Sequence, residues 1–315
     1  MKQFTSVHDV ANPKALVESA LKLKHAPVGS LKGIGAGKTI VMLFFNPSLR
    51  TRLSTEKAAL ELGMYVIEYN AGQGWQLEFE DGAVMDGDKA EHIREAAAVI
   101  SQYADIIGIR TFPTLAARER DYSDFVLRQF IRHATAPVIS LESAIRHPLQ
   151  SLADWVTLEE YRPAHRPKVV LTWAPHPRAL PQAVANSFVE WMKMADVELV
   201  VTHPKGYELA NEFSSGLAIE YNQDKALAGA DFVYAKNWSS YREYGQILNQ
   251  DISWMITPEK MAHTNNGKFM HCLPVRRNVI VADAVLDSPA SLAIQQANNR
   301  AYAAMAVLKD ICEAL

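Results

Sequence analysis

Short apolar, β-branched runs alternate along the chain with longer stretches in which apolar residues recur every three or four positions. The runs at 39–45, 65–69, 105–110 and 137–141 predict strands in the first half. Those at 168–173, 198–203, 231–236 and 268–272 predict strands in the second. Helical periodicity falls at 51–62, 88–103, 124–132, 149–160 and 179–194. Such alternation predicts an α/β fold of two doubly wound parallel-sheet domains, assembled from right-handed βαβ units. The seam falls in the helix at 149–160 and the RPAHRP stretch that follows. A final helix at 297–315 is long enough to return across the seam and pack on the first domain. No internal repeat or low-complexity tract interrupts the pattern.

Composition narrows the class. The 315 residues suffice for two domains, and 49% hydrophobic with 21% charged residues is a globular balance. Thirty-two basic against 35 acidic residues, with no basic run, argue against nucleic acid as a partner. Apolar runs such as 40–45 fall far short of the roughly 18 residues a membrane span needs. The opening MKQFTSVHDVANPK has no apolar export segment, which predicts a cytoplasmic protein. Cys272 and Cys312 form neither a disulfide framework nor a zinc pattern.

In open parallel sheets, ligands sit beyond the carboxyl ends of the strands. GIGAGKT at 33–39 imitates a phosphate loop, but Lys32 stands where that motif needs glycine and the segment precedes its strand. It reads as a flexible surface turn. NPSLRTR at 46–52 follows a strand and opens a helix, so backbone N–H groups and the helix dipole face an incoming anion. Ser48 and Thr51 add hydroxyls, and Arg50 adds a fork for two phosphate oxygens. HPLQ at 147–150 occupies another strand-to-helix junction, where Pro148 suits the first helical turn and His147 and Gln150 share a helix face. HCLP at 271–274 follows a strand, with Leu273–Pro274 a candidate cis bond.

Together these segments resemble the transcarbamylases, the aspartate and ornithine carbamoyltransferases. The family's S-x-R-T-R is present at 48–52, its H-P-x-Q at 147–150, and the ornithine branch's H-C-L-P at 271–274. The resemblance implies carbamoyl phosphate as donor, a trimer with sites at subunit interfaces, and no metal or organic cofactor. It places the phosphate on Ser48, the Leu49 backbone, Arg50 and Thr51, with Arg300 adding to the anion site. Thr51, Arg110 and His147 would meet the carbamoyl oxygen. Gln150 and the carbonyls of Cys272 and Leu273 would take the amino group, and Trp75 would reach a neighbouring subunit's site. Residues 1–148 with helix 297–315 would form the carbamoyl-phosphate domain, and 149–296 the acceptor domain.

The acceptor departs from plain ornithine. Where the ornithine enzymes carry an aspartate for the α-ammonium, GADFVYAKNWSS at 229–240 carries Lys236, a repulsive partner for that charge. Acylation of the α-nitrogen removes the conflict. With WAPHPR at 173–178 and MDGD at 85–88, the chain is similar to the N-acylornithine branch. That likeness implies that Glu142, His176, Lys236 and Arg276, with Ala90 and Arg178, face the acylornithine. Acetyl enzymes of the branch carry glutamate at position 90 and succinyl enzymes proline. Ala90 would not repel a succinyl carboxylate, so N-succinylornithine is expected, with N-acetylornithine the alternative and plain ornithine more remote.

Overall fold

The computed structural model describes residues 1–71 and 74–315. It divides into two compact units, each built on one parallel sheet. Met1–Thr114, Glu119–Leu149 and Arg300–Leu315 form the first unit; Leu115–Arg118 and Gln150–Asn299 form the second.

The first unit's five-stranded sheet contains β1 (Gln3–Phe4), β2 (Thr39–Phe44), β3 (Tyr65–Tyr69), β6 (Ile106–Arg110) and β7 (Val138–Glu142), in the order β1-β7-β6-β2-β3. A separate pair, β4 (Leu77–Glu78) and β5 (Glu91–His92), also runs parallel. Strands β2, β6 and β7 are apolar almost throughout and buried, as strands covered on both faces must be. Val41, Leu43, Ile107 and Ile109 pack with Leu127 and Phe130 of helix Phe125–His133. In the second unit, β8 (Lys168–Trp173), β9 (Glu198–Thr202), β10 (Ala218–Glu220), β11 (Phe232–Lys236) and β12 (Lys268–Met270) lie in the order β10-β9-β8-β11-β12. Val170, Val233 and Phe269 from this sheet share a core with Ile256 and Ile280.

The departures from the expected elements have local causes. The helix expected from 88 starts at Ile93, because 91–92 pair with β4 and the His92 side chain caps the helix by accepting from Arg94 N–H. The strand expected to reach 272 stops at Met270, since Gln296 takes the His271 N–H and Leu273 has a left-handed backbone, φ 55°. The last helix begins earlier than expected and runs Ala293–Cys312. The glycine-rich turn before β2 is pinned rather than loose: Gly35 N–H donates to the Leu62 carbonyl at 2.8 Å.

That pinning depends on Gly63, which ends helix Arg50–Leu62 at φ 85° and would bring a Cβ within 2.0 Å of the Lys32 carbonyl oxygen. Gly63→Ala is expected to cost about 2 kcal/mol or more, seen as a lower urea midpoint at constant slope. An unchanged midpoint would mean that the 32–63 contact yields without strain.

Candidate active site

In the first unit, chemistry gathers where β2, β6 and β7 end. After β2 the chain turns directly into helix Arg50–Leu62, and the Ser48 hydroxyl accepts the Thr51 N–H at 3.3 Å. Leu49 is exposed, leaving the start of this helix open to solvent, whereas Thr51 is buried. The Thr51 hydroxyl oxygen is a meeting point: Arg110 Nη1 donates to it at 3.3 Å and Arg300 Nη2 at 2.6 Å. Arg50 occupies the first helical position beside them.

Arg110 closes β6, Glu142 closes β7, and an irregularity at Ile109/Arg110 sets the two opposite each other. Their side chains form a buried ion pair through Arg110 Nη1 and Glu142 Oε2. His147 Nε2 lies 3.4 Å from the same carboxylate oxygen, and the Phe112 ring stacks 4.5 Å from the Arg110 guanidinium carbon. Beneath the loop from 142 to 147, Asp124 accepts from the Ser143 hydroxyl at 2.7 Å and from Ala144 N–H at 3.1 Å. Burial pushes the Asp124 carboxyl above its usual range. Sequence reasoning missed this brace, for an isolated aspartate gives no periodic or motif signal.

The second unit presents a different set. Gln150 Nε2 donates to Asp154 Oδ1 at 2.8 Å, and Gln296 Nε2 donates to the same oxygen at 2.6 Å. Burial, with Asp154 and Cys272 alongside, pushes the Tyr234 hydroxyl well above its ordinary pKa. Leu273 N–H donates to His271 Nδ1 at 2.9 Å, and the Leu273–Pro274 bond is cis. At the ends of β8 and β11, Ala174 N–H bonds the Lys236 carbonyl at 3.1 Å, and Asn237 Nδ2 bonds the Ala174 carbonyl at 2.7 Å. Two buried indoles brace the next turn: Trp173 Nε1 donates to the Trp238 carbonyl, and Trp238 Nε1 to that of Tyr207. Arg178 N–H donates to His176 Nδ1 at 3.0 Å. Burial, helped by the charges of Lys236, Arg276 and Arg178, pushes the His176 imidazole below its usual pKa.

The structure thus joins Thr51, Arg110 and Arg300, with His147 against the same carboxylate as Arg110, in one unit; in the other it joins His176 to Arg178, with Lys236 at the end of the neighbouring strand β11. Glu142, expected among the acceptor contacts, stands against Arg110 and His147. Trp75 and Ala90 form a separate exposed patch: Trp75 Nε1 donates to Glu91 at 2.7 Å, and Ala90 N–H to the Gln76 carbonyl at 2.9 Å. Gly72 and Gln73 of the AGQGW loop lie outside the described residues. Among the described residues no group of three or more His, Cys, Asp or Glu side chains is arranged to hold a metal ion.

A strand-to-helix junction backed by Arg110, on a chain of two parallel-sheet units, agrees with the family comparisons. Residues 2–160 match the carbamoyl-phosphate-binding domain of the aspartate/ornithine carbamoyltransferases, and 181–311 match their aspartate/ornithine-binding domain. The chain belongs to this carbamoyltransferase family. It is 53% identical to the N-succinylornithine carbamoyltransferase of Bacteroides fragilis over 318 residues, covering 100% of both chains. The N-acetylornithine carbamoyltransferase of Xanthomonas axonopodis pv. citri is 39% identical, over 98% of this chain and 96% of that one. Among solved structures, a glutamate-to-alanine mutant of N-acetyl-L-ornithine transcarbamylase complexed with carbamyl phosphate and N-succinyl-L-norvaline superposes with a TM-score of 0.91. It is 38% identical, over 99% of this chain and 100% of that one.

In a carbamoyltransferase of this geometry, Glu142→Gln strips the buried Arg110 of its counter-charge. Removing one partner of a buried pair costs about 3–5 kcal/mol of stability at the upper end, so a lower melting temperature is expected. Transfer from carbamoyl phosphate should fall at least about tenfold in kcat/KM, or about 1.4 kcal/mol. Wild-type kinetics in the variant would detach Glu142 from the site.

Proposed function

We propose that the enzyme transfers the carbamoyl group of carbamoyl phosphate to the δ-amine of N-succinyl-L-ornithine, giving N-succinyl-L-citrulline and phosphate in arginine biosynthesis. The observation that carries the acceptor assignment is Lys236 at the end of β11, tied through its carbonyl to Ala174 beyond β8, with Arg178 bonded to His176 on the same loop. Free ornithine would bring an α-ammonium to these cations. A succinylated α-nitrogen is neutral, and the molecule then offers two carboxylates for the cations to bind. The name carried by the relative at 53% identity supports the same acceptor. So does the solved glutamate-to-alanine mutant with its succinyl compound, if Ala90 is given that glutamate's place.

On this reading Ser48, the Leu49 backbone, Arg50 and Arg300 take the phosphate, with the dipole of helix Arg50–Leu62 behind them. Thr51, Arg110 and His147 take the carbamoyl oxygen; Gln150 and the carbonyls of Cys272 and Leu273 take its amino group. Glu142 supplies negative charge for a δ-nitrogen that is an ammonium in water. The neutral δ-amine attacks the carbamoyl carbon, and charge builds on the oxygen facing Arg110 and His147. The carbon–oxygen bond to phosphate then breaks with its electron pair, and the nitrogen releases one proton. Rate should accordingly rise with pH through the amine's ionisation.

The enzyme is cytoplasmic and homotrimeric in this proposal, the number three coming from the family likeness. Self-association is supported by a groove of about 460 Å³ lined by Ile67, Tyr69, Trp75, Val99 and Tyr103, all large apolar or aromatic side chains at least 41% exposed. It lies beside β3, the edge strand of its sheet.

Measured as kcat/KM, N-succinylornithine should exceed N-acetylornithine, and ornithine should be very poor. Ala90→Glu should lower the succinyl-to-acetyl ratio about fivefold, the size of a screened repulsion near 1 kcal/mol. Ornithine as the best substrate would overturn the N-acyl assignment; an unchanged ratio would remove residue 90 from it.

Arg50→Ala should cost at least about 1.5–3 kcal/mol of transition-state binding. If Trp75 completes a neighbour's site, inactive Trp75→Ala and Arg50→Ala subunits should regain activity when mixed. Absence of recovery after verified subunit exchange would mean that each site is built within one chain.

A further inference from the structure

Helix Pro148–Glu160 carries a carboxylate that the transfer reaction does not use. Asp154, one turn beyond Gln150, is 0% exposed. Its Oδ1 accepts from two amides, Gln150 Nε2 at 2.8 Å and Gln296 Nε2 at 2.6 Å. A carboxylate oxygen accepts and cannot donate, so both glutamines must turn their NH2 groups toward Asp154 and their carbonyl oxygens away. For Gln296 the consequence is visible: its Oε1 accepts the His271 N–H at 2.9 Å, on the residue immediately before Cys272 and Leu273. Without such a partner a glutamine amide can rotate by half a turn and exchange acceptor for donor at nearly the same shape.

We propose that Asp154 is a positioning residue that fixes the hydrogen-bond polarity of the donor subsite. It holds Gln150 with its oxygen outward and, through Gln296 and His271, holds the segment bearing the Cys272 and Leu273 carbonyls. The subsite is then a set of acceptors. A carbamoyl –NH2 satisfies them, whereas the methyl of an acyl phosphate of the same shape leaves them unpaired. Asp154 therefore sets the choice between a carbamoyl and an acetyl donor. This inference rests on the reading of Gln150 as a ligand of the carbamoyl amino group.

Dissociation constants of carbamoyl phosphate, acetyl phosphate and inorganic phosphate, measured by calorimetry on the whole enzyme, test it. In Asp154→Leu both glutamines lose the oxygen that orients their amides, and each is free to turn. The preference for carbamoyl over acetyl phosphate should fall at least about tenfold, while inorganic phosphate binds within about twofold of wild type. A retained preference would overturn the proposal, as would equal weakening of all three ligands, which is what a merely structural role produces. Should Asp154→Leu fail to fold, Gln296→Leu cuts the other arm and is held to the same outcomes. Gln150→Ala separates the layers: if it keeps the wild-type preference, the underlying reading of Gln150 fails. If it loses the preference while Asp154→Leu keeps it, only the role of Asp154 fails.

Discussion

Burying Arg110 is the constraint around which the first unit's chemistry is arranged. A guanidinium withdrawn from water costs several kcal/mol unless it is paired. The chain meets that requirement at one point, where an irregular register at the end of β6 sets Arg110 against Glu142 at the end of β7. Thr51 and the Phe112 ring close around it, and His147 shares its carboxylate. A cation that carries its own counter-ion attracts a full negative charge weakly, but its N–H groups still polarise a carbonyl. Arg110 Nε, buried and without a hydrogen-bond partner among the described residues, keeps such a donor in reserve. In the proposed reaction this divides the labour: the neutralised arginine suits the carbamoyl oxygen, and the phosphate's charge falls to Arg50 and the helix start.

The second unit works in the opposite sense. Its buried polar groups around Asp154 are ordered by an oxygen that only accepts, and the charges of its outer cations help burial to push the His176 imidazole below its usual pKa. On the proposed reading one cluster answers to a hydrogen-bonding pattern and the other to charge. Aromatic braces at Trp173 and Trp238 fix the turn that follows Lys236.

What could be read from the chain alone follows from the range of the interaction involved. NPSLRTR and HPLQ were legible because strand end, cap and helix start are neighbours in sequence, and hydrophobic runs of five or six residues marked β2, β6 and β8. Two-residue β1 and the pair β4–β5 were invisible, being too short to have a period. The pairing of Gln296 with Asp154 spans 142 positions and leaves no local trace. Glu142 came to the acceptor through the family likeness; only three-dimensional structure reveals its pairing with Arg110. Such partners are chosen by topology, which sequence pattern constrains only as far as strand order.

Arg300 reaches Thr51 across 249 positions, the N-terminal and C-terminal thirds of the chain meeting in one hydrogen bond. The first unit is therefore discontinuous in time as well as in sequence. During synthesis its sheet can form once β7 has emerged, long before the ribosome reaches residue 300, because β1 to β7 all precede residue 143. The closing segment, Arg300–Leu315, arrives only after the whole second unit has been made. A nascent chain can hold the Arg110–Glu142 pair yet still lack the arginine that completes the Thr51 cluster. Vectorial synthesis thus makes the hydrogen bond between Arg300 and Thr51 a late event, formed only after the strands that carry Arg110 and Glu142 are available.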